Sequence, residues 1–325
     1  MTACTATAHS NIALAKYWGK ADRARNLPAV PSLSLTLGAL RTRTTVQFDD
    51  ALAADELSLD GRAGREKELA RVVKLLDRVR GLARLGARAR VTTANDFPTA
   101  AGLASSASGF AALALAATRA AGLTLDAGAV SALAREASVS AARSLHGGWV
   151  VLGAGAETAE ALAPESHLDV AMLVVLTRTG EKAVGSTEGM NRTSETSPYY
   201  PAWVSHAPGL FERIRAGVLA GDLEAIGPAM EASALAMHAS MFAASPPIVY
   251  FSPATLGAME RVRELRASGV PAYFTMDAGP HVKVLVPRDA AAKAAAALSE
   301  VPGVERVVTS LPGPAASVVV EGPGG

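Results

Sequence analysis

Asn95-Asp96-Phe97-Pro98-Thr99-Ala100-Ala101-Gly102-Leu103-Ala104-Ser105-Ser106-Ala107-Ser108-Gly109 is the stretch from which the fold of this chain is read. Residues 89–94, just before it, include the β-branched Val91 and Thr93 and predict a strand. Residues 110–121, just after it, are rich in Ala and Leu and predict a helix. Between them runs a loop of small residues ending in Ser105, Ser106 and Ser108. A strand, a small-residue loop and a helix start together make an anion site. The unpaired N–H groups of the first helical turn point outward, the helix dipole favours negative charge, and glycine lets a phosphate approach the backbone. Serine hydroxyls add donors or hold a metal ion. The same residues also suit an Ala/Ser-rich helix start packed on a sheet, so the rest of the chain decides.

The segment Pro98-x-x-x-Gly102-Leu103-x-Ser105-Ser106-Ala107 resembles the phosphate loop of the GHMP small-molecule kinase superfamily. The longer string from Asn95 to Ala107 resembles one branch of it, the diphosphomevalonate decarboxylases. The resemblance implies an α+β, GHMP-kinase-like fold of two lobes. A ribosomal-protein-S5-like lobe over residues 1–180 would bind ATP, a ferredoxin-like lobe over 181–325 would follow, and the active site would lie in the cleft between them. It further implies that Pro98, Ala101, Gly102, Leu103, Ala104, Ser105 and Ser106 surround the ATP phosphates, with Ser106 a candidate ligand of Mg2+.

Three other stretches carry the same resemblance. Asn11-Ile-Ala-Leu-Ala-Lys16-Tyr17-Trp18-Gly19-Lys20 places two lysines, a tyrosine and a tryptophan within five residues. Alone it also reads as a surface turn with snorkelling lysines. The resemblance implies that Lys16 is catalytic and that Tyr17 and Lys20 hold a substrate diphosphate. Such a polyanion needs charged and hydroxyl donors in place before the transition state forms. In Ala137-Ser138-Val139-Ser140-Ala141-Ala142-Arg143-Ser144, Ser140 and Arg143 share a face if the segment is helical. Spacing alone equally allows a polar stripe on an exposed helix. The resemblance makes Ser138 and Ser140 contacts for phosphate or carboxylate, and Arg143 the grip on a substrate carboxylate, which its planar fork suits. Ala137 and Val139 stand where the family has glycines. Phe274-Thr275-Met276-Asp277-Ala278-Gly279-Pro280-His281 puts an Asp in a Gly-Pro turn after a strand, where it is commonly a turn residue. The resemblance makes Asp277 the group that orients, or deprotonates, the tertiary C3 hydroxyl of the substrate.

The implied activity is ATP- and Mg2+-dependent decarboxylation of (R)-5-diphosphomevalonate to isopentenyl diphosphate, ADP, phosphate and CO2. The same constellation would serve a 5-phosphomevalonate decarboxylase or a 3-kinase that stops before CO2 loss. Two departures bear on this. Ser194 stands where the family has an arginine associated with substrate phosphate, with Arg192 two residues earlier and so on another helix face. His281 stands where the family has asparagine.

The remaining sequence fits this frame. At 325 residues, half hydrophobic and 19% charged, the chain is globular and long enough for a large two-lobed core. A formal net charge of +1 gives no bulk attraction to nucleic acid. Cys4 is the lone cysteine, which excludes an internal disulfide and a cysteine zinc site and fits a reducing cytosol. No signal peptide and no apolar run of about 18 residues is apparent, so a cytoplasmic location without membrane contact is expected, and the resemblance implies a homodimer. Residues 32–37 and 41–48 predict two strands, and Asp60-Gly61 a hairpin turn. Residues 65–82 predict an amphipathic helix and 127–143 another. The polar run 180–200 is the expected crossing between lobes, followed by helices over 201–219, 222–241 and 253–268. The six histidines show no metal-ligand spacing, and His238 beside Met237 and Met241 reads as a packed or capping residue. No Walker-type loop is present, and Gly153-Ala154-Gly155 lacks the rest of a dinucleotide fingerprint.

Overall fold

In the computed structural model, which describes residues 2–97, 105–177 and 184–319, two large sheets with helices against them, and a two-stranded ribbon at residues 20–22 and 27–28, build the molecule. The chain begins with β1 (Cys4–Ala15), the short strands β2 (Lys20–Asp22) and β3 (Leu27–Pro28), and the long β4 (Ser32–Asp49). Next come β5 (Glu56–Leu59), β6 (Arg62–Ala63), α1 (Glu66–Ala83), β7 (Arg88–Asn95), α2 (Ser105–Ala120) and α3 (Ala127–Ala137). A 3-10 turn (Val139–Leu145), β8 (Trp149–Leu152), β9 (Glu160–Ala163) and β10 (Val170–Thr177) follow. Then come α4 (Ser186–Thr196), α5 (Tyr200–Ala220), α6 (Leu223–Phe242), α7 (Pro253–Ala267), β11 (Tyr273–Met276) and β12 (Val282–Pro287). The last elements are α8 (Ala291–Ser299), β13 (Val304–Ser310) and β14 (Ser317–Val318).

The first sheet runs β14-β1-β4-β7-β5-β6, with β8 on the early half of β4 and β9 beyond it. The two strands expected at 32–37 and 41–48 are one. Gly38-Ala39-Leu40 continues the extended backbone, and β1 pairs with both halves through a register shift between His9 and Asn11. α2 covers this sheet. Its run of buried alanines, Ala111, Ala112, Ala114, Ala116 and Ala117, lets the helix lie close to the strands beneath Phe48 and Val46. The second sheet is antiparallel, in the order β11-β12-β10-β13. Every residue of β10 is buried because α6 lies towards one face and α7 and α8 towards the other. β10 precedes the change of lobe expected near residue 180, yet its partners β12 and β13 come from the last third of the chain. At the end, β14 returns to pair with β1.

Two local features differ from the expected helices. The helix expected over 127–143 stops at Ala137, because Ser138 is extended (φ −158°, ψ 120°), and resumes as the 3-10 turn. In a 3-10 turn residues three apart eclipse, so Ser140 and Arg143 still share a side. The polar run 180–200 contains α4.

A buried ion pair ties α1 to the first sheet. Arg80 donates to both Asp55 oxygens at 2.9 and 2.8 Å, and the Ala89 N–H donates to Asp55 Oδ1 at 2.8 Å. Breaking a buried pair strands the surviving charge, which costs about 3–5 kcal/mol. The Asp55→Ala variant is therefore expected to lose stability on that scale in urea unfolding. A loss under about 1 kcal/mol would show that the bonds Arg80 already makes to the exposed Asp77, at 2.6 and 3.2 Å, suffice for its charge.

Candidate active site

β1 runs out of its sheet at Ala15 and delivers Lys16 into the interior, where the backbone N–H of Lys16 donates to Ser233 Oγ on α6 at 2.9 Å. Gly19 then turns the chain. Its φ is +103°, and a Cβ there would lie 1.9 Å from the Tyr200 hydroxyl, so glycine alone fits. This turn places Lys16, Tyr17, Trp18 and Lys20 along one side of a cleft of about 820 Å³. Ser105 and Ser106 at the start of α2, Ser138, Ser140 and Arg143 around the 3-10 turn, and Asp277 after β11 line the same cleft. The structure thus brings together nine residues singled out from separate stretches of sequence. The remaining loop residues, Pro98 and Ala101 to Ala104, lie outside the described residues.

Lys16 Nζ donates to Asp277 Oδ1 at 2.7 Å, and Lys283 Nζ on β12 lies 3.1 Å from Asp277 Oδ2. Both lysine side chains are 1% exposed, whereas that of Asp277 is 31% exposed, towards the cleft. Burial works against the Asp277 charge, but the two ammonium groups outweigh it and hold the carboxyl well below the usual carboxylate range. Burial also pulls the Lys16 ammonium down, to about 8, with Asp277 opposing. His238 on α6 faces the same loop, its Nε2 3.2 Å from the Asp277 carbonyl oxygen. Burial, with Lys16 nearby, pushes its pKa down to about 3, so the imidazole is neutral and serves as a donor to the loop.

Arg143 is buried, and burial lowers it to about 10, which leaves it charged at neutral pH. Its Nε lies 3.0 Å from Ser34 Oγ and 3.3 Å from Asn11 Oδ1, and its Nη1 donates to Ser32 Oγ at 2.7 Å. Asn11 is itself held by the Ser140 carbonyl and Ser144 Oγ, at 2.9 and 2.8 Å. The Tyr17 hydroxyl is buried with no hydrogen-bond partner among the described residues, and burial pushes the phenol pKa up. A buried, unpartnered polar atom lining a cleft points to a ligand that completes it.

The lining carries six cationic side chains, Lys16, Lys20, Arg23, Arg71, Lys74 and Arg143, against Glu136, Glu188 and Asp277. Two of those carboxylates are already paired outside the lining, Glu136 with Arg78 and Glu188 with Arg192. Arg23 is likewise paired outside the lining, with Glu195, and Lys16 is matched by Asp277, so the excess positive charge of the cleft rests on Lys20, Arg71, Lys74 and Arg143, in a chain of near-zero net charge. A second cavity of about 130 Å³, walled by Leu57, Leu59, Val91, Phe110 and Leu113, shares Arg71, Ser105 and Ser106 with the first. Among the described residues no group of three His, Cys, Asp or Glu could hold a metal ion. Divalent binding would lean on ligand phosphates and a hydroxyl such as Ser106.

Lys283, Arg23, Arg71, Lys74 and His238 were not singled out as site residues from the sequence. Arg23, from the turn after β2, donates to Ser194 Oγ at 3.1 Å and pairs with Glu195. His281 does not face the cleft. Its Nδ1 accepts from the Thr177 N–H at 3.1 Å, within the second sheet.

Comparison with known proteins adds three kinds of likeness. Residues 8–163 match the model of the diphosphomevalonate decarboxylase-like N-terminal domain, and residues 172–314 that of the mevalonate 5-diphosphate decarboxylase C-terminal domain. A diphosphomevalonate decarboxylase of Ganoderma lucidum is 34% identical, over 88% of this chain and 78% of its own length. A phosphomevalonate decarboxylase of Haloferax volcanii is 30% identical over 96% of each. Among solved structures, the mevalonate diphosphate decarboxylase from Enterococcus faecalis superposes with a TM-score of 0.90 at 42% identity, over 98% of each chain. MDDEF in complex with MVAPP, AMPPCP and magnesium gives 0.92 at 43%, again over 98% of each. No helix among the described residues is long and apolar enough to cross a membrane.

Proposed function

The chain belongs to the diphosphomevalonate decarboxylase family, an ATP-dependent decarboxylase of the mevalonate pathway with the GHMP-kinase-like fold, and we propose that its cleft converts (R)-5-diphosphomevalonate to isopentenyl diphosphate. The observation that carries this reading is the convergence of Lys16, Asp277 and Arg143, from three distant stretches, on one positive cleft. Its residues fit Mg-ATP as well. Ser105 and Ser106 stand at the start of α2, and the adjoining apolar cavity suits a nucleotide base, with Arg71 between the two. A cytoplasmic homodimer, with a nucleotide lobe ahead of residue 180, belongs to the same proposal.

The chemistry explains the parts. A tertiary alcohol leaves poorly, and bound Mg-ATP supplies the phosphoryl group that makes it a leaving group. Asp277 accepts a hydrogen bond from the C3 hydroxyl and aims it, since phosphoryl transfer is chiefly positioning and charge stabilisation. With its pKa held low, Asp277 acts as an ionised acceptor more than as a strong base. Lys16 balances the charge that gathers on the transferred group. Arg143 fixes the substrate carboxylate antiperiplanar to the departing phosphate, and loss of phosphate and CO2 then leaves the alkene. Tyr17, Lys20, Ser138 and Ser140 hold the phosphate tail.

A second reading, the 5-monophosphate as substrate, draws on the Haloferax relative and on Ser194. Against it, Arg23 brings a guanidinium to within 3.1 Å of Ser194, and a substrate diphosphate would have to draw it from its ion pair with Glu195. The test is an ADP assay with Mg-ATP and each substrate in turn, with CO2 followed in parallel. The diphosphate is expected to win by at least about tenfold in kcat/KM, with one CO2 per ADP. Preference for the monophosphate would change the substrate, and ADP without CO2 would remove the role given to Arg143.

A further inference from the structure

Asp277 has two unlike oxygens. Oδ1 accepts from Lys16 at 2.7 Å. Oδ2 is buried, and the one charged group that reaches it among the described residues is the Lys283 ammonium. What compensates it is the charge of Lys283, whose Nζ lies 3.1 Å away yet donates to the His281 carbonyl at 3.3 Å. Lys283 is 1% exposed and is not among the residues lining the cleft, so it cannot meet a substrate directly. A carboxylate oxygen sealed in the interior is costly unless a counter-charge stands beside it.

We propose that Lys283 is a positioning residue for the reaction: fixed from behind by the His281 carbonyl, its ammonium balances the buried Oδ2 and keeps Asp277 ionised, with Oδ1 turned to the cleft where Lys16 and the substrate hydroxyl meet it. The other groups around this carboxylate cannot replace it. Lys16, at the end of β1, is committed to Oδ1. Arg143, from the 3-10 turn, is held by Ser32, Ser34 and Asn11. His238, on α6, is neutral and addresses the Asp277 carbonyl, and the His281 ring is turned towards Thr177. Removing Lys283 would leave burial to act on Asp277 with one ammonium fewer. Its pKa would rise, and the ionised form would be lost as pH falls through the new value.

The kinetic consequence rests on the proposed decarboxylase activity, while the titration of Asp277 does not. Two variants are needed. Lys283→Met removes both charge and hydrogen bond, and Lys283→Gln keeps a donor for the His281 carbonyl without the charge. In the wild type, kcat is expected to be flat from pH 7 down to 5 and to fall above about pH 8, as Lys16 deprotonates. Both variants are expected to gain an acid limb that wild type lacks, so that the ratio of wild-type to variant kcat grows as pH falls from 7 to 5, with KM within about twofold of wild type. A merely structural role would lower activity equally at all pH and would spare the glutamine variant. In parallel, the carbon-13 shift of the Asp277 carboxyl is followed in substrate-free protein over the same pH range. It should stay constant in the wild type and titrate in both variants, whatever the substrate proves to be. A constant shift in both variants, or kcat falling by the same factor at every pH, would overturn the role of Lys283. A wild type inactive on both phosphorylated mevalonates, with the carboxyl still titrating in the variants, would overturn the substrate and leave the role of Lys283 standing.

Discussion

Turnover of the Asp277→Asn variant is expected to fall at least about a hundredfold, the scale on which losing a charged group that positions a reacting hydroxyl is felt. Asparagine keeps the shape of the side chain and removes its charge, so the change tests charge and acceptor strength rather than packing. Two effects add. The C3 hydroxyl loses a charged acceptor for a weaker amide oxygen. The two ammonium groups now 2.7 and 3.1 Å from the carboxylate also lose their counter-ion in a buried site. Lys16, already pulled down to about 8 with Asp277 opposing the pull, would drop further without it and be neutral at working pH. The activity that needs its positive charge would then be lost from neutral pH upward. Single-turnover ADP and CO2 formation in a variant that still binds Mg-ATP gives the measurement. Turnover within about threefold of wild type would take Asp277 out of the mechanism.

Much of this site is legible in the sequence because its residues sit in short, unusual strings. Lys16 to Lys20, Ser138 to Arg143 and Phe274 to Pro280 each combine chemistry-bearing side chains with a turn or helix break, and the structure places all three around one cleft. Lys283 leaves no such signal, for a physical reason. In Val282-Lys283-Val284 it alternates with apolar residues, which on a half-buried strand would point it to solvent. β12 is instead an inner strand covered on both faces, so the lysine is buried wherever it points. The meeting of Arg23 with Ser194 joins residues 171 apart and leaves no local signal. Residues 32–37 and 41–48 predict two strands where β4 is one, because Gly38 breaks the alternation without breaking the backbone, and the early end of α3 rests on the backbone of Ser138, which an Ala/Ser composition does not betray. His281, by contrast, stood out as a departure from the family pattern, and its ring serves the second sheet through Thr177.

The Arg143→Lys variant should lose at least about a hundredfold in kcat/KM, which is about 2.7 kcal/mol of transition-state stabilisation. The substitution keeps a positive charge, so a purely electrostatic role would predict a small effect. The geometry predicts a large one. Nε and Nη1 of Arg143 are tied to Ser34, Asn11 and Ser32, which fixes the plane of the guanidinium and leaves the Nη2 edge uncommitted to these three. A carboxylate meeting that edge is held in one orientation, and orientation is what CO2 loss needs, because the breaking C–C bond must lie antiperiplanar to the departing phosphate. A lysine ammonium is a single point. It cannot satisfy three buried oxygens and a substrate carboxylate together, and in so buried a place it gives up its proton more readily than a guanidinium does. The loss should appear in CO2 more than in ADP, since the carboxylate is not the group phosphorylated. In a quenched time course ADP should therefore run ahead of CO2 in the variant and match it in the wild type. Equal losses of both products would mean that Arg143 acts on binding as a whole. Wild-type kcat/KM in the variant would mean that charge alone suffices and that the serine–asparagine cradle has no part in the reaction.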